Sequence, residues 1–190
     1  MNVAAPISIA YPDARTRILD AAESIVLARG VSALTLDAAA KFAGVSKGGL
    51  LYHFASKEAL LRGLVDRIVG EIETDWDRSL AAAPPGPRRA CRAALQWTFH
   101  CPPEEEAKVM RRGAVLLAAH HHDPAMIEPI RAFHARLRRA VEAEAPPGVG
   151  LTLVAASDGL FIAQLFNIWR PQPEQAEAIE SALSRLIETA

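Results

Sequence analysis

Proline-centred breaks divide the second half of this sequence into segments of helical length. They fall at Ala83-Pro84-Pro85-Gly86-Pro87, Pro102-Pro103, Asp123-Pro124, Pro146-Pro147-Gly148 and Pro171 to Pro173. Proline removes a backbone donor and clashes with the preceding turn, so a helix does not run through such a cluster. The stretches between, 88–101, 103–121, 124–144, 150–169 and 173–189, hold no alternating β-branched run, and helices are the structure they predict. Pro103 and Pro124 fit first-turn positions, where the missing N–H has no intrahelical role.

The first half is punctuated differently, by caps. A helix is expected after Pro12 with Asp13 as its cap, since Ile18, Leu19, Ala22, Ile25 and Val26 form one apolar stripe and Gly30 ends it. Thr35 caps a short second helix that stops at Gly44, and Ser46 caps a third through about Tyr52. Ser56 caps a fourth that begins at Lys57 and runs long. The expected fold is all-α: an N-terminal three-helix helix-turn-helix domain over 13–72 and a C-terminal helical bundle over 73–190.

Of the 190 residues, 51% are hydrophobic, enough to bury a real core. Lys and Arg total 21 against 22 Asp and Glu, a net charge of -1. A uniformly basic nucleic-acid coat is thereby excluded, but a local basic patch is not. Cys91 and Cys101 read as lying in one helix, about 15 Å apart and too far for a disulfide, which suits a reducing cytoplasm. The N-terminus, MNVAAPISIAYP, lacks the charged start of a secretory leader. The apolar run Leu151 to Trp169 is interrupted by Asp158, Gln164 and Asn167. A buried bundle helix or subunit interface therefore suits it better than a membrane span.

Residues 35–57 carry the most information. Two short helices meet at Ala43-Gly44-Val45-Ser46, where Gly44 permits the positive φ of a tight turn. Small Ala39 and Ala40 let the helices approach, and Val45 turns back into the core. Such a helix-turn-helix can present its second helix to a DNA major groove. No acid lies between Asp37 and Glu58, while Lys41, Lys47, His53 and Lys57 do. Thr35 and Ser46 stand at helix N-termini, which attract phosphate. Gly48 and Gly49 allow close approach of backbone. The same pattern also fits a plain αα-hairpin with a solvated basic face.

Residues 13–72 resemble the N-terminal domain of the tetracycline-repressor (TetR) family of bacterial transcriptional regulators. The matching blocks are "TRILDAAESIVLARG", "LTLDAAAKFAGVSKGGLLYHF" and "SKEALL". The resemblance implies that Thr35 and Ser46 hold phosphate at helix starts. It implies that Lys47, Gly48, Gly49 and Tyr52 face the major groove, that His53 contacts phosphate and that Lys57 touches the DNA backbone. Ala40, Val45, Leu50 and Phe54 would form the core. The sequence departs from the family at Gly49, where many members have Thr, at Leu51, where many have Tyr, and at Ala55, where Pro is frequent. The first two remove polar groups, so fewer side chains are left to read bases.

By the same resemblance, the C-terminal two thirds is a ligand-binding and dimerisation domain. Candidate pocket residues on its helical stripes are Trp97, Phe99, Met110, Leu117, Phe133, Phe161, Leu165 and Phe166, with Gln164, His134 and Asn167 as polar groups. Each of the apolar ones fits a plain core equally well. The dimer is expected through the last two helices. There Ala155, Ala156, Ser157, Gly159 and Ala163 permit close packing, and Ala182, Leu183, Leu186 and Ile187 form an apolar face.

His120-His121-His122-Asp123 does not read as a metal site, because consecutive helical residues splay by about 100°. Arg111-Arg112 and Arg136, Arg138 and Arg139 read as solvated helix faces. No catalytic motif, metal site or cofactor loop is present. The expectation is a cytoplasmic, ligand-responsive repressor that binds double-stranded palindromic DNA as a homodimer, with a small apolar or amphipathic effector and no cofactor. The other readings are a helical small-molecule-binding protein without DNA function and a small helical enzyme.

Overall fold

Thr35, Ser46 and Ser56 each spend a hydroxyl on a helix start, and the N-terminal helices follow from those caps. A computed structural model describes residues 13–189, so the reading of residues 1–12 as lacking a leader lies outside the described residues. Helix α1 spans Ala14–Arg29, α2 Leu36–Ala43, α3 Lys47–His53 and α4 Lys57–Ala82. They are followed by α5 Arg89–Phe99, α6 Pro103–His122, α7 Glu128–Glu144, α8 Val149–Leu165 and α9 Pro173–Thr189. Among the described residues the regular elements are all helical, with 3-10 turns at Val31–Ala33 and Pro124–Ile127. None is long and apolar enough to cross a membrane.

Two compact units divide between Leu64 and Val65, inside α4 and ahead of the expected limit at 72. A helix that continues past the division carries no proline or glycine cluster to mark it. In the first unit, Ile18, Leu19, Ala22, Leu34, Ala39, Leu50, Phe54, Leu60, Leu61 and Leu64 form the core. Gly63 is a packing requirement here. A Cβ on it would come within 2.6 Å of the Phe54 ring.

In the second unit α8 contacts α5, α6, α7 and α9. Its buried residues are Gly150, Leu153, Val154 and Leu160. Gly113 of α6 lets α8 come close, since a Cβ there would meet Phe161 at 2.7 Å and Leu165 at 3.2 Å. Polar links join the helices: Ser79 donates to the Ala93 carbonyl at 2.8 Å, the Thr98 and Ser157 hydroxyls pair at 2.8 Å, and Glu144 accepts from Ala90 N–H at 2.8 Å.

Two expectations are corrected at helix ends. The helix read to Trp169 stops at Leu165, because Asn167 adopts a left-handed φ of 52°. Asn167 N–H then donates to the Gln164 carbonyl and Ile168 N–H to the Ala163 carbonyl, the paired bonds that close a helix. Asn167, read as a pocket group, thus serves as a helix stop. Likewise α5 ends at Phe99, so Cys101 lies beyond the helix that holds Cys91, and both thiols are free. Burial raises the pKa of each thiol above its ordinary value.

Candidate functional site

The helix-turn-helix is assembled by its backbone. Gly44 takes φ 64° after α2, and Val45 N–H donates to the Ala40 carbonyl at 3.0 Å, which closes α2 and turns the chain into α3. Thr35 Oγ1 accepts from Ala38 N–H at 3.1 Å, and Ser46 Oγ accepts from Gly49 N–H at 3.0 Å. Each hydroxyl thus satisfies one of the unpaired donors of its helix and keeps its own hydrogen to donate.

The residues expected at DNA are all at least partly exposed. Tyr52 is 86% exposed, Lys47 and Gly48 are exposed, and Gly49, His53 and Lys57 are half-exposed. An added Cβ on Gly48 would meet nothing within 4 Å, whereas on Gly49 it would press on Ser46 Oγ at 3.2 Å. Gly49 therefore keeps the cap uncrowded. The Tyr52 and His53 rings meet edge-on at 5.1 Å. Lys57 Nζ donates to the Ser32 carbonyl at 3.5 Å. Lys47 Nζ lies 2.9 Å from Asp37 Oδ1, so the nearest acid partly offsets the basic patch. Both groups are more than half exposed, and such a pair contributes at most about 1 kcal/mol, so Lys47 is readily released to a phosphate.

The second unit holds a half-open cleft of about 390 Å³ between α4 and α7, lined by Glu73, Trp76, Asp77, Phe133, Arg136, Leu137 and Ala140. Of the residues read as pocket candidates, only Phe133 lines it. Trp97 lies behind, 5.7 Å from Trp76 and 6.1 Å from Phe133 ring to ring. Arg136 bridges the opening, paired with Glu73 and with its guanidinium 5.8 Å from the Phe133 ring centre. Phe99, Met110 and Gln164 are half-buried elsewhere, and Phe161 packs over Gly113. Phe166 is 53% exposed just past the end of α8, and Leu117 is also at the surface. His134 pairs with Asp158 at 3.0 Å beside a shallower hollow. Trp76 was missed, although Val65, Val69, Ile72 and Trp76 recur at helical spacing.

The reading of Arg112 as a solvated residue is overturned. It is 4% exposed, and its guanidinium bonds Glu71 at 2.9 Å and Asp75 at 2.6 Å. Burial alone would lower its pKa, but the hydrogen bonds to Asp75 and Glu71 outweigh that and hold it above the ordinary value. Arg111 is exposed, as read. In the histidine run, Asp123 is spent as a cap, its Oδ1 accepting from Ala125 N–H at 2.9 Å.

Residues 18–64 match the model described as bacterial regulatory proteins, tetR family, and residues 88–188 match the tetracyclin repressor-like C-terminal domain. The HTH-type transcriptional regulator SrpR of Pseudomonas putida is 29% identical over 181 residues, 90% of this chain and 82% of that protein. The multidrug binding protein EbrR, solved in complex with malachite green, has a TM-score of 0.69 and 25% identity, over 93% of this chain and 99% of its own. A TetR-family member from Streptomyces coelicolor A3, SCO1917, shares the fold at a TM-score of 0.65 and 24% identity, over 93% of this chain and 99% of its own.

Proposed function

The chain belongs to the TetR family of DNA-binding transcriptional regulators, and on that premise we propose that it is a ligand-responsive repressor that grips a palindromic operator as a homodimer. The observation that carries the DNA reading is the outward face of α3, with Lys47 and Tyr52 exposed beside the capped start of α2. Thr35, Ser46, Lys47, His53 and Lys57 hold phosphates, and Gly48, Gly49 and Tyr52 approach the groove. Phosphate contacts carry the salt dependence of binding. Lys47→Ala is expected to weaken all duplexes alike and to lower the slope of log affinity against log salt by about one unit. Fluorescence anisotropy across a salt series measures it. An unchanged slope and affinity would remove Lys47 from the interface and contradict this docking.

The effector is a small apolar or amphipathic molecule held in the second unit. The aromatic walls of the cleft, Trp76 and Phe133, with the charged Glu73, Asp77 and Arg136 at its edge, suit a small amphipathic molecule. The likeness to a multidrug binding protein solved with malachite green supports this class. Its binding favours a state in which the two heads stand at the wrong separation for adjacent major grooves.

Helix α4, which begins before the division at Leu64 and ends beyond it, transmits that change. Gly70 is exposed with open space around it, and Thr74 Oγ1 bonds its carbonyl at 2.8 Å, a back-bond that favours bending. Gly70→Ala is expected to raise stability by about 1 kcal/mol and leave effector-free DNA affinity nearly intact. The ratio of DNA affinities with and without malachite green should change. An identical ratio in both proteins would take bending at Gly70 out of the switch.

A further inference from the structure

Four residues of α3 face outward together: Lys47, Gly48, Leu51 and Tyr52, spaced three and four apart along the helix. The opposite face is buried at Leu50, and Phe54 beyond it is 4% exposed. What this surface offers a groove is an ammonium, bare backbone, an isobutyl group and a phenol. No Asn, Gln, Arg, Asp or Glu occurs in residues 47–53.

Each base presents a different edge in the major groove. Adenine is matched by a side-chain amide, cytosine by a carboxylate, guanine by Arg or Lys, and thymine by an apolar group against its 5-methyl. Helix α3 has no amide and no carboxylate, and its one lysine, Lys47, is the residue assigned above to a phosphate. Thymine alone has its complement displayed in mid-helix. Leu51 is 40% exposed beside a fully buried Leu50, and the residue one turn before it is Gly48, around which an added Cβ would meet nothing within 4 Å. No side chain at that position shields the isobutyl group.

Resting on the DNA-binding reading above, we propose that Leu51 is a specificity-determining residue that reads thymine through its 5-methyl group. The operator then carries a fixed thymine in each half-site, facing Leu51. Phosphate contacts supply most of the affinity, and the methyl contact supplies the discrimination.

The test uses the full chain and duplexes enriched from a random-sequence library by the purified protein. Thymines of the enriched duplex are replaced one at a time by uracil, which removes only the methyl. Affinity is expected to fall about fourfold at the contacted position, the loss for one buried methyl-sized group. Leu51→Ala should still bind DNA but make no distinction between thymine and uracil there. Phe42→Ala, which removes a 67%-exposed apolar side chain on α2, should retain the distinction. Equal affinity for thymine and uracil duplexes at every position would overturn the proposal, as would persistence of the uracil penalty in Leu51→Ala. Failure to enrich any duplex would instead overturn the DNA-binding reading, and this inference with it.

Discussion

Arg112→Ala is expected to destabilise the second unit by about 3 kcal/mol, at the low end of the range for breaking a buried ion pair. The guanidinium is the buried member, and Glu71 and Asp75 are the half-buried ones, with side chains 37% and 22% exposed. Truncation strands two carboxylates that were hydrogen-bonded on α4. Water reaches them in part, and Arg78 remains 3.1 Å from Asp75, which holds the cost below the upper limit of about 5 kcal/mol. Arg112→Lys keeps the charge but not the fork that spans two acids, and should recover only part of the loss. Urea denaturation of the three proteins decides it. A loss under about 1 kcal/mol for the alanine variant would mean that the arginine is solvated after all.

The second large effect is on assembly. Leu151, Ala155, Gly159 and Ile162 lie on one exposed stripe of α8, with Phe166 exposed just past its end and Leu186 exposed on α9. An exposed apolar stripe of this kind is where the proposed homodimer would form its contact. Leu183 and Ile187, read as part of the dimer face, are buried within the chain, so in the proposed dimer α9 would contribute Ala182 and Leu186 only. Gly159 has nothing within 4 Å of an added Cβ. Gly159→Leu should therefore leave the fold intact, and even favour the helix by nearly 1 kcal/mol. In the proposed dimer the same side chain would overpack the contact, at a typical cost of about 1–3 kcal/mol for each copy. Two copies bring the change to about 2–6 kcal/mol, a shift of one to four decades in the dimer dissociation constant. Sedimentation at micromolar concentration should show monomer with unchanged helicity. An unaltered dimer would place the interface elsewhere, and loss of helicity would assign Gly159 to the core.

The local devices were legible in the residues themselves. Asp13, Thr35, Ser46 and Ser56 cap helices through contacts three residues along the chain. Gly30 and Gly44 stop helices through their own positive φ. What escaped depends on partners far away in sequence. Arg112 looks like any surface arginine until α6 sets it against acids 37 and 41 residues earlier. The cleft needs α4 and α7 to meet, so Phe133 was found by its stripe while Glu73, Asp77 and Arg136 were not assigned to it. Asn167 shows the reverse failure: a polar residue in an apolar run was read as chemistry, and its left-handed φ made it a stop. The bounds and caps of α3 were legible, but the Lys47–Asp37 pair across the turn was not.

The proposed repressor binds DNA sequence-specifically and with two-fold symmetry. Bacterial genomic fragments retained by the purified protein at physiological salt, sequenced without prior selection, test it most directly. Enrichment of a short inverted repeat is expected, its half-sites about one helical turn apart or a multiple of it, as two recognition helices of a dimer require. Fragments retained without any shared sequence, or no fragments retained at all, would contradict it.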